Sequence, residues 1–388
     1  MSKLDELISE LCPDRVEFKT IKEVYTRLKG TPITAGKMKE IENSNGDIRV
    51  FAGGKTVIDA YEKDIPKANI TRVPAVLIQS RGVIDAVYYD RPFTFKNEMW
   101  AYTHENKTSV KFLYYVLKNN LTFFREAAAG MGALPQISLK ITENFKIPVP
   151  PLEVQSEIVR ILDKFTELTT ELEIELTARK KQYEYYRDKL LINNPKAKPM
   201  ALGDVGPVSM CKRIMKAETS SSGDVPFYKI GTFGKEADAF ISNETFEKYK
   251  KAYSYPQKGD ILISAAGTIG RVVVFNGEPS YFQDSNIVWI DNDESKVLNA
   301  YLYYCYQLQP WKAATGGTIS RLYNNNIRKA IIPVPSIPEQ ERIITILDRF
   351  NTLCNDISVG LPAEIEARQK QYEYYRDKLL SFKDKPEV

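Results

Sequence analysis

"ARKKQYEYYRDKLL" occupies residues 178–191, and "ARQKQYEYYRDKLL" occupies residues 367–380. The two stretches differ only at Lys180 against Gln369. The likeness extends upstream. "IPVPPLEVQSEIVRILDKFTEL" begins at Ile147, and "IPVPSIPEQERIITILDRFNTL" begins at Ile332, 185 residues later. At the same offset "GMGALPQISLKITENFKIPVP" aligns with "TGGTISRLYNNNIRKAIIPVP" and "AVLIQSRGVI" at Ala75 with "DILISAAGTI" at Asp260, while "KFLYYVLKN" at Lys111 resembles "AYLYYCYQL" at Ala300. One unit of about 190 residues has been duplicated, which is not the pattern of a short-period solenoid. The unit ends are close copies and the preceding blocks share only a skeleton, so a common scaffold holding two different readers is expected.

The ends read as helices. After each "IPVP" the chain offers a helix start, and Ser336 with Glu339 forms an S-x-x-E capping box with Pro338 in the first turn. Apolar residues then recur at Ile158, Ile161, Leu162, Phe165, Leu168, Leu172 and Leu176, and resume at Tyr183, Tyr186 and Leu190. That is one amphipathic face along about 40 residues. The second copy repeats it through Ile343, Leu347, Phe350, Leu353 and Ile357, with a break at Gly360-Leu361-Pro362, then resumes at Ile365, Tyr372, Tyr375 and Leu379. Two such helices pack most simply as a coiled coil. The tyrosine-rich repeat reads as its seam and solvated face, and a docking surface for another protein is compatible with that. The diverged blocks read as mixed α/β. "AVLIQ", "DAVYY", "DILIS" and "RVVVFN" are strands, and a helix runs from Ser109 to Lys118. The expected parts are residues 1–150, a helix over 151–195, residues 196–335, and a helix over 336–388.

Net charge follows the same alternation, +4, −2, +4 and −2 over those four parts. A positive balance on both diverged blocks suits contact with phosphate backbones. The 388 residues suffice for two or three domains, and a composition 43% hydrophobic and 27% charged fits a soluble globular protein. No stretch is apolar enough for a membrane helix, the polar start "MSKLDELISELCPD" is unlike a signal peptide, and a cytoplasmic location is expected.

Signals for catalysis are sparse. Cys12, Cys211, Cys305 and Cys354 lie far apart and His104 is the single histidine, which argues against a zinc site and a disulfide framework and leaves buried or inert thiols. His104 reads as a surface residue. Asp14 and Glu17-x-Lys19 evoke a nuclease pattern, but only two residues separate the acids. "AGGKT" at Ala52 ends like a phosphate loop, yet Arg49 stands where its first glycine belongs. No Asn-Pro-Pro-aromatic motif is present. The chain reads as a binder.

A duplicated chain with "IPVPPLEVQSEIV" and "IPVPSIPEQERII" each leading into "ARxKQYEYYRDKLL" resembles the specificity subunit of type I restriction–modification systems, as do "CPDRVEFKTIKEV", "GALPQIS" and "GGTISRLY". The resemblance covers nearly the whole chain. It implies an α/β (α+β) fold with two target-recognition domains, held apart by two long helices in an antiparallel coiled coil with pseudo-twofold symmetry. It implies that each domain reads one half of a split, asymmetric site in double-stranded DNA. Two methyltransferase subunits and two restriction/motor subunits would assemble on the chain. S-adenosylmethionine, ATP and magnesium would serve those partners, leaving this chain without cofactor or catalytic residues. The repeats would offer one docking surface twice, through Tyr183, Tyr186 and Arg187 and through Tyr372, Tyr375 and Arg376. A coiled-coil adaptor that binds no DNA is the competing reading, and it leaves the basic, divergent blocks unexplained.

Groove readout needs Arg, Lys, Asn, Gln and small polar groups. These gather at equivalent places in the two halves. In the first they are Gln79, Ser80, Arg81, Lys96, Asn97, Gln136 and Lys140. In the second they are Ser264, Thr268, Arg271, Gln283, Asn286, Ser320, Arg321, Tyr323 and Asn324. Finally, "FTELTTELEIELT" from Phe165 places leucines at four-residue steps, a pattern expected to help set the gap between half-sites.

Overall fold

A computed structural model describes residues 6, 10–12, 15–54, 56–128, 134–312 and 321–383. They form two compact units. One joins the chain up to Glu173 with the chain from Glu364, and the other is Ile174–Ala363.

The first unit has nine strands: β1 (Phe18–Thr20), β2 (Thr26–Leu28), β3 (Ile48–Phe51), β4 (Val57–Ala60), β5 (Ala75–Gln79), β6 (Asp85–Tyr89), β7 (Phe93–Phe95), β8 (Trp100–Thr103) and β9 (Lys146–Pro148). The second continues with β10 (Lys198–Ala201), β11 (Val208–Ser209), β12 (Val225–Tyr228), β13 (Phe240–Ile241), β14 (Ile261–Ser264), β15 (Val272–Val274), β16 (Tyr281–Phe282), β17 (Ile287–Ile290) and β18 (Ile331–Val334). The first unit pairs them as β1-β9, β2-β8-β5-β6 and β4-β3-β7, and the second as β10-β18, β11-β17-β14-β15 and β13-β12-β16. The orders correspond strand for strand. Even the parallel pair recurs, β3 with β7 and β12 with β16. The unbroken apolar runs "AVLIQ" and "ILIS" are central strands with every residue buried, as two-sided burial requires. The expected helix is present as Lys107–Asn119, matched in the second unit by Asn299–Gln307.

The first scaffold copy is one helix, Leu152–Leu191, and the second is two, Ile337–Asn355 and Leu361–Leu380. The break falls earlier than Gly360. The Asp356 side chain accepts from Ser358 N at 2.7 Å and Val359 N at 3.2 Å, closing the chain into a turn. Gly360 permits it, because a Cβ there would lie 2.4 Å from the Thr352 carbonyl oxygen. Ile357 is therefore off the helical seam and 80% exposed, contrary to its place in the apolar pattern. Ser336 is the N-cap, but its side chain caps nothing. Glu339, expected to complete a capping box, pairs instead with Arg342 at 2.6 Å.

Within the second unit the helices run antiparallel. Phe350 meets Tyr183 and Tyr186, while Cys354, one turn onward, lies near Lys180 and Arg179, one turn back. In the first unit Phe165 stacks on Tyr375 at 5.4 Å.

Each domain is tied to its helix by the same polar links. Tyr115 donates to Asp163, and Tyr304 donates to Asp348. Gln155 Nε2 donates to the Pro150 carbonyl at 2.8 Å, and Gln340 Nε2 to the Pro335 carbonyl at 2.9 Å. Gln340 goes further, donating to Lys296 O and accepting from Leu298 N at 2.9 Å each.

The duplicated tyrosine-rich segments are exchanged between the sequence halves. Leu191 is buried in a core of the second unit, with Tyr183 and Leu190 against it. Leu380 is buried in a core of the first, with Tyr372, Leu379 and Phe382 against it. Tyr183 OH donates to Gln307 at 3.0 Å, Arg376 Nε donates to Asn119 at 2.8 Å, and Val16 N–H reaches the Lys383 carbonyl at 3.3 Å. The compact units thus cut across the four-part division of the sequence, because the helical stretches are shared between the cores.

Candidate nucleic-acid interface

In each unit four chain segments meet where β5 or β14 ends. In the first, Ile137 N–H donates to Ser80 O at 2.9 Å, Gly82 N–H to Pro135 O at 2.8 Å, and Gly54 N–H to Arg81 O at 3.2 Å. Glu98 joins the remaining loop. Its carboxylate accepts from Gly53 N at 3.3 Å and pairs with Lys96 at 3.0 Å, and its carbonyl accepts from Ser80 Oγ at 2.6 Å. Gly82 holds a φ of +78°, which only a residue without Cβ adopts freely.

The second unit repeats the arrangement with other side chains. Leu322 N–H donates to Ala265 O at 2.8 Å, and Gly267 takes the left-handed turn at φ +64°. Gln283 Oε1 accepts from Ile230 N at 2.9 Å, the role that Glu98 fills in the first unit. Ser264 Oγ accepts from Arg271 N at 2.8 Å. Ser285 holds an unusual φ of +53° and presents its carbonyl to Arg321 Nη2 at 2.9 Å.

The expected reading residues divide by environment. Gln79, Ser80 and Ser264 are buried and build the loops. Lys96 is held by Glu98, and Arg271 by the Phe233 carbonyl at 2.7 Å. Arg81, Asn97, Gln136 and Lys140 are exposed, as are Thr268, Tyr323 and Asn324, while Gln283, Asn286 and Arg321 are half-buried. Ser320 lies outside the described residues, as do Asp14 and Lys55 of the two discarded motifs. Glu98 and Ile230 were not singled out in the sequence, since loop ties of this kind have no local signature, while Ser285 stands in the polar run Gln283–Asn286 and Gly53 in the discarded AGGKT motif. Arg213, also unforeseen, pairs with Asp284 at 2.9 Å.

The six repeat residues expected to dock partners are engaged within their own units. Tyr186 stacks on Phe350, Tyr375 stacks on Phe165, and Arg187 and Arg376 lie over Tyr183 and Tyr372. The outward-facing members of the two repeats are Tyr185 and Tyr374, 61% and 62% exposed. His104 is half-buried, packed edge-on against Tyr25 at 5.6 Å, rather than a free surface residue. Cys211, Cys305 and Cys354 are buried, and burial pushes the Cys211 and Cys305 thiols up to about 12. They are poor nucleophiles near neutrality. Among the described residues no cluster of metal-binding side chains occurs, and no helix is long and apolar enough to cross a membrane.

The sequence matches the family described as "Type I restriction modification DNA specificity domain" twice, over residues 13–179 and 195–367. The chain belongs to the type I specificity-subunit family. It is 33% identical to the Escherichia coli type I restriction enzyme EcoR124I/EcoR124II specificity subunit, over 88% of each chain. It is 56% identical to a Haemophilus influenzae chain named as a type I specificity subunit, over 74% of this chain and 77% of that one. The crystal structure of a type I S subunit from M. genitalium superposes with a TM-score of 0.59 at 16% identity, covering 94% of this chain and 96% of that one. That likeness speaks for the fold, and the two family matches coincide with the duplication described above. Specificity subunits of this family recognise DNA sequence.

Proposed function

We propose that each loop cluster reads one part of a bipartite, asymmetric site in double-stranded DNA, and that the chain carries this choice to a type I restriction–modification complex. The observation that carries the reading is a duplicated fold whose loop clusters keep one backbone arrangement and change the side chains. Two methyltransferase subunits dock on the helical scaffold, with two restriction/motor subunits completing the assembly in the cytoplasm. The chain itself is non-catalytic. S-adenosylmethionine, ATP and magnesium belong to the partners.

The test is a map of methylated adenine in cells carrying the matching modification subunit, with and without this gene. One split motif that depends on the gene supports the proposal. No change, with the partner present and active, overturns it and favours an adaptor that binds no DNA.

The gap between half-sites has its own test. Thr166, Thr169 and Thr170 each bond back to a carbonyl four residues earlier, at 3.0, 3.0 and 2.8 Å, and the helix continues through them. Deleting Thr169–Leu172 removes about 6 Å of helix, close to two base-pair rises of roughly 3.4 Å. The expected motif keeps both half-sequences with a shorter gap. An unchanged gap refutes the spacer role.

A further inference from the structure

The two units place different side chains on one piece of backbone. The hydrogen bonds from Ile137 N–H to Ser80 O and from Leu322 N–H to Ala265 O join positions that correspond at an offset of 185 residues. Arg81 therefore corresponds to Ala266, and Gln136 to Arg321. Each unit carries one arginine on this seam, supplied from opposite sides. The first unit supplies it from the turn after β5, where Arg81 forms an isolated bridge with Gln136. The second supplies it from the stretch leading into the Asn324–Arg328 helix.

Both guanidinium groups are uncommitted to any acid. Arg81 is exposed and makes no side-chain hydrogen bond or ion pair among the described residues. Arg321 is half-buried, and one nitrogen alone is used, Nη2 to the Ser285 carbonyl at 2.9 Å. That carbonyl is presented by a residue at φ +53°, a conformation costly for serine and of the kind found where function requires it. The anchor aims the fork and keeps its charge. Among the other cations nearby, Lys96 is spent on Glu98, Arg213 on Asp284 and Lys229 on Asp238, and Arg271 gives its Nη1 to the Phe233 carbonyl. An arginine fork not spent on an acid matches the O6/N7 edge of guanine in the major groove.

Resting on the reading of these loops as the DNA-facing surface, we infer that Arg81 and Arg321 each read a guanine, one in each half-site, from opposite sides of the corresponding seam. Each half-site then holds one guanine specified by its own arginine, although the rest of their sequences differ.

The experiment maps methylated motifs in cells carrying the complete system with wild type, Arg81→Ala, Arg321→Ala or Arg321→Lys. Each alanine variant is expected to relax one guanine in one half-site and leave the other half unchanged. For the purified complex, preference for the cognate duplex over one substituted at that guanine falls roughly 5- to 150-fold. Lysine lacks the fork, so Arg321→Lys relaxes the same position. The inference is overturned if the guanine stays required in these variants. It is equally overturned if methylation weakens uniformly with every motif base retained, the mark of a phosphate contact. Should Arg321→Ala yield no methylated DNA, Arg321→Lys and Arg81→Ala decide by the same criteria. A wild-type complex that leaves no motif at all overturns the broader specificity reading instead.

Discussion

Gln340→Leu is expected to destabilise the second unit by roughly 3 kcal/mol, whereas the matching Gln155→Leu in the first costs about 1 kcal/mol or less. The two glutamines occupy corresponding places at the start of the scaffold helices, and their surroundings are unequal. Gln340 is fully buried and satisfies three backbone groups, the carbonyls of Lys296 and Pro335 and the N–H of Leu298. Leucine fills similar space and leaves all three without a partner. Gln155 serves only the Pro150 carbonyl, and its own Oε1 is buried with no partner. Leucine there also removes an unsatisfied acceptor, which offsets part of the loss. Denaturant unfolding of the two variants measures the difference. Equal losses would show that the extra bonds of Gln340 contribute nothing net.

Alkaline unfolding is the second large effect. Burial pushes the Tyr102 hydroxyl up to about 12 from its ordinary 10.0, and the Cys211 and Cys305 thiols up to about 12 from 9.0. Below pH 9 these groups are protonated in both folded and unfolded chains, and their contribution is at its full value. As pH rises towards 12 the unfolded chain releases protons that the folded chain retains, so stability falls with pH. The loss is about 3 kcal/mol for Tyr102 and about 4 kcal/mol for each cysteine. The two cysteines lie in the second unit, and their combined loss is on the order of the whole stability of a domain. Loss of helical circular dichroism is expected to coincide with a sharp rise in tyrosinate absorbance before pH 12. Tyrosinate forming gradually over an intact helical signal would contradict it.

The duplication was legible because stretches of like length and pattern recur in the same order, 185 to 189 residues apart, and the central strands because their apolar runs are short and unbroken. The loop clusters were legible in position, since Gly82 and Gly267 punctuate equivalent turns. Their wiring was not. Nothing in "KNE" or "QDSN" tells that Glu98 and Gln283 hold a neighbouring turn, because such bonds depend on strand pairing across tens of residues. The repeat shows the same limit. Helical periodicity identified the apolar face carrying Tyr183 and Tyr372, but periodicity reports that a face is covered and is silent on what covers it. Ser336 and Ile357 departed from expectation for local reasons: Arg342 competes for Glu339, and Asp356 turns the chain before the helix reaches Ile357.

The sharing of the tyrosine-rich segments fixes an order of assembly during synthesis. The second unit is one unbroken stretch, Ile174–Ala363, and every strand and helix it needs has been made once Ala363 is in place. The first unit waits. Its missing piece, with Tyr372, Leu379, Leu380 and Phe382, lies more than two hundred residues beyond the end of its own α/β block. Domains made on the ribosome generally close from the N-terminus onward. Here residues made after the second unit seal the first, leaving its apolar socket open throughout the making of the other. A nascent chain stalled near Ala363 is then a finished second domain attached to an unfinished first one. In the cell, that socket is where a chaperone would find purchase on a specificity subunit still under construction.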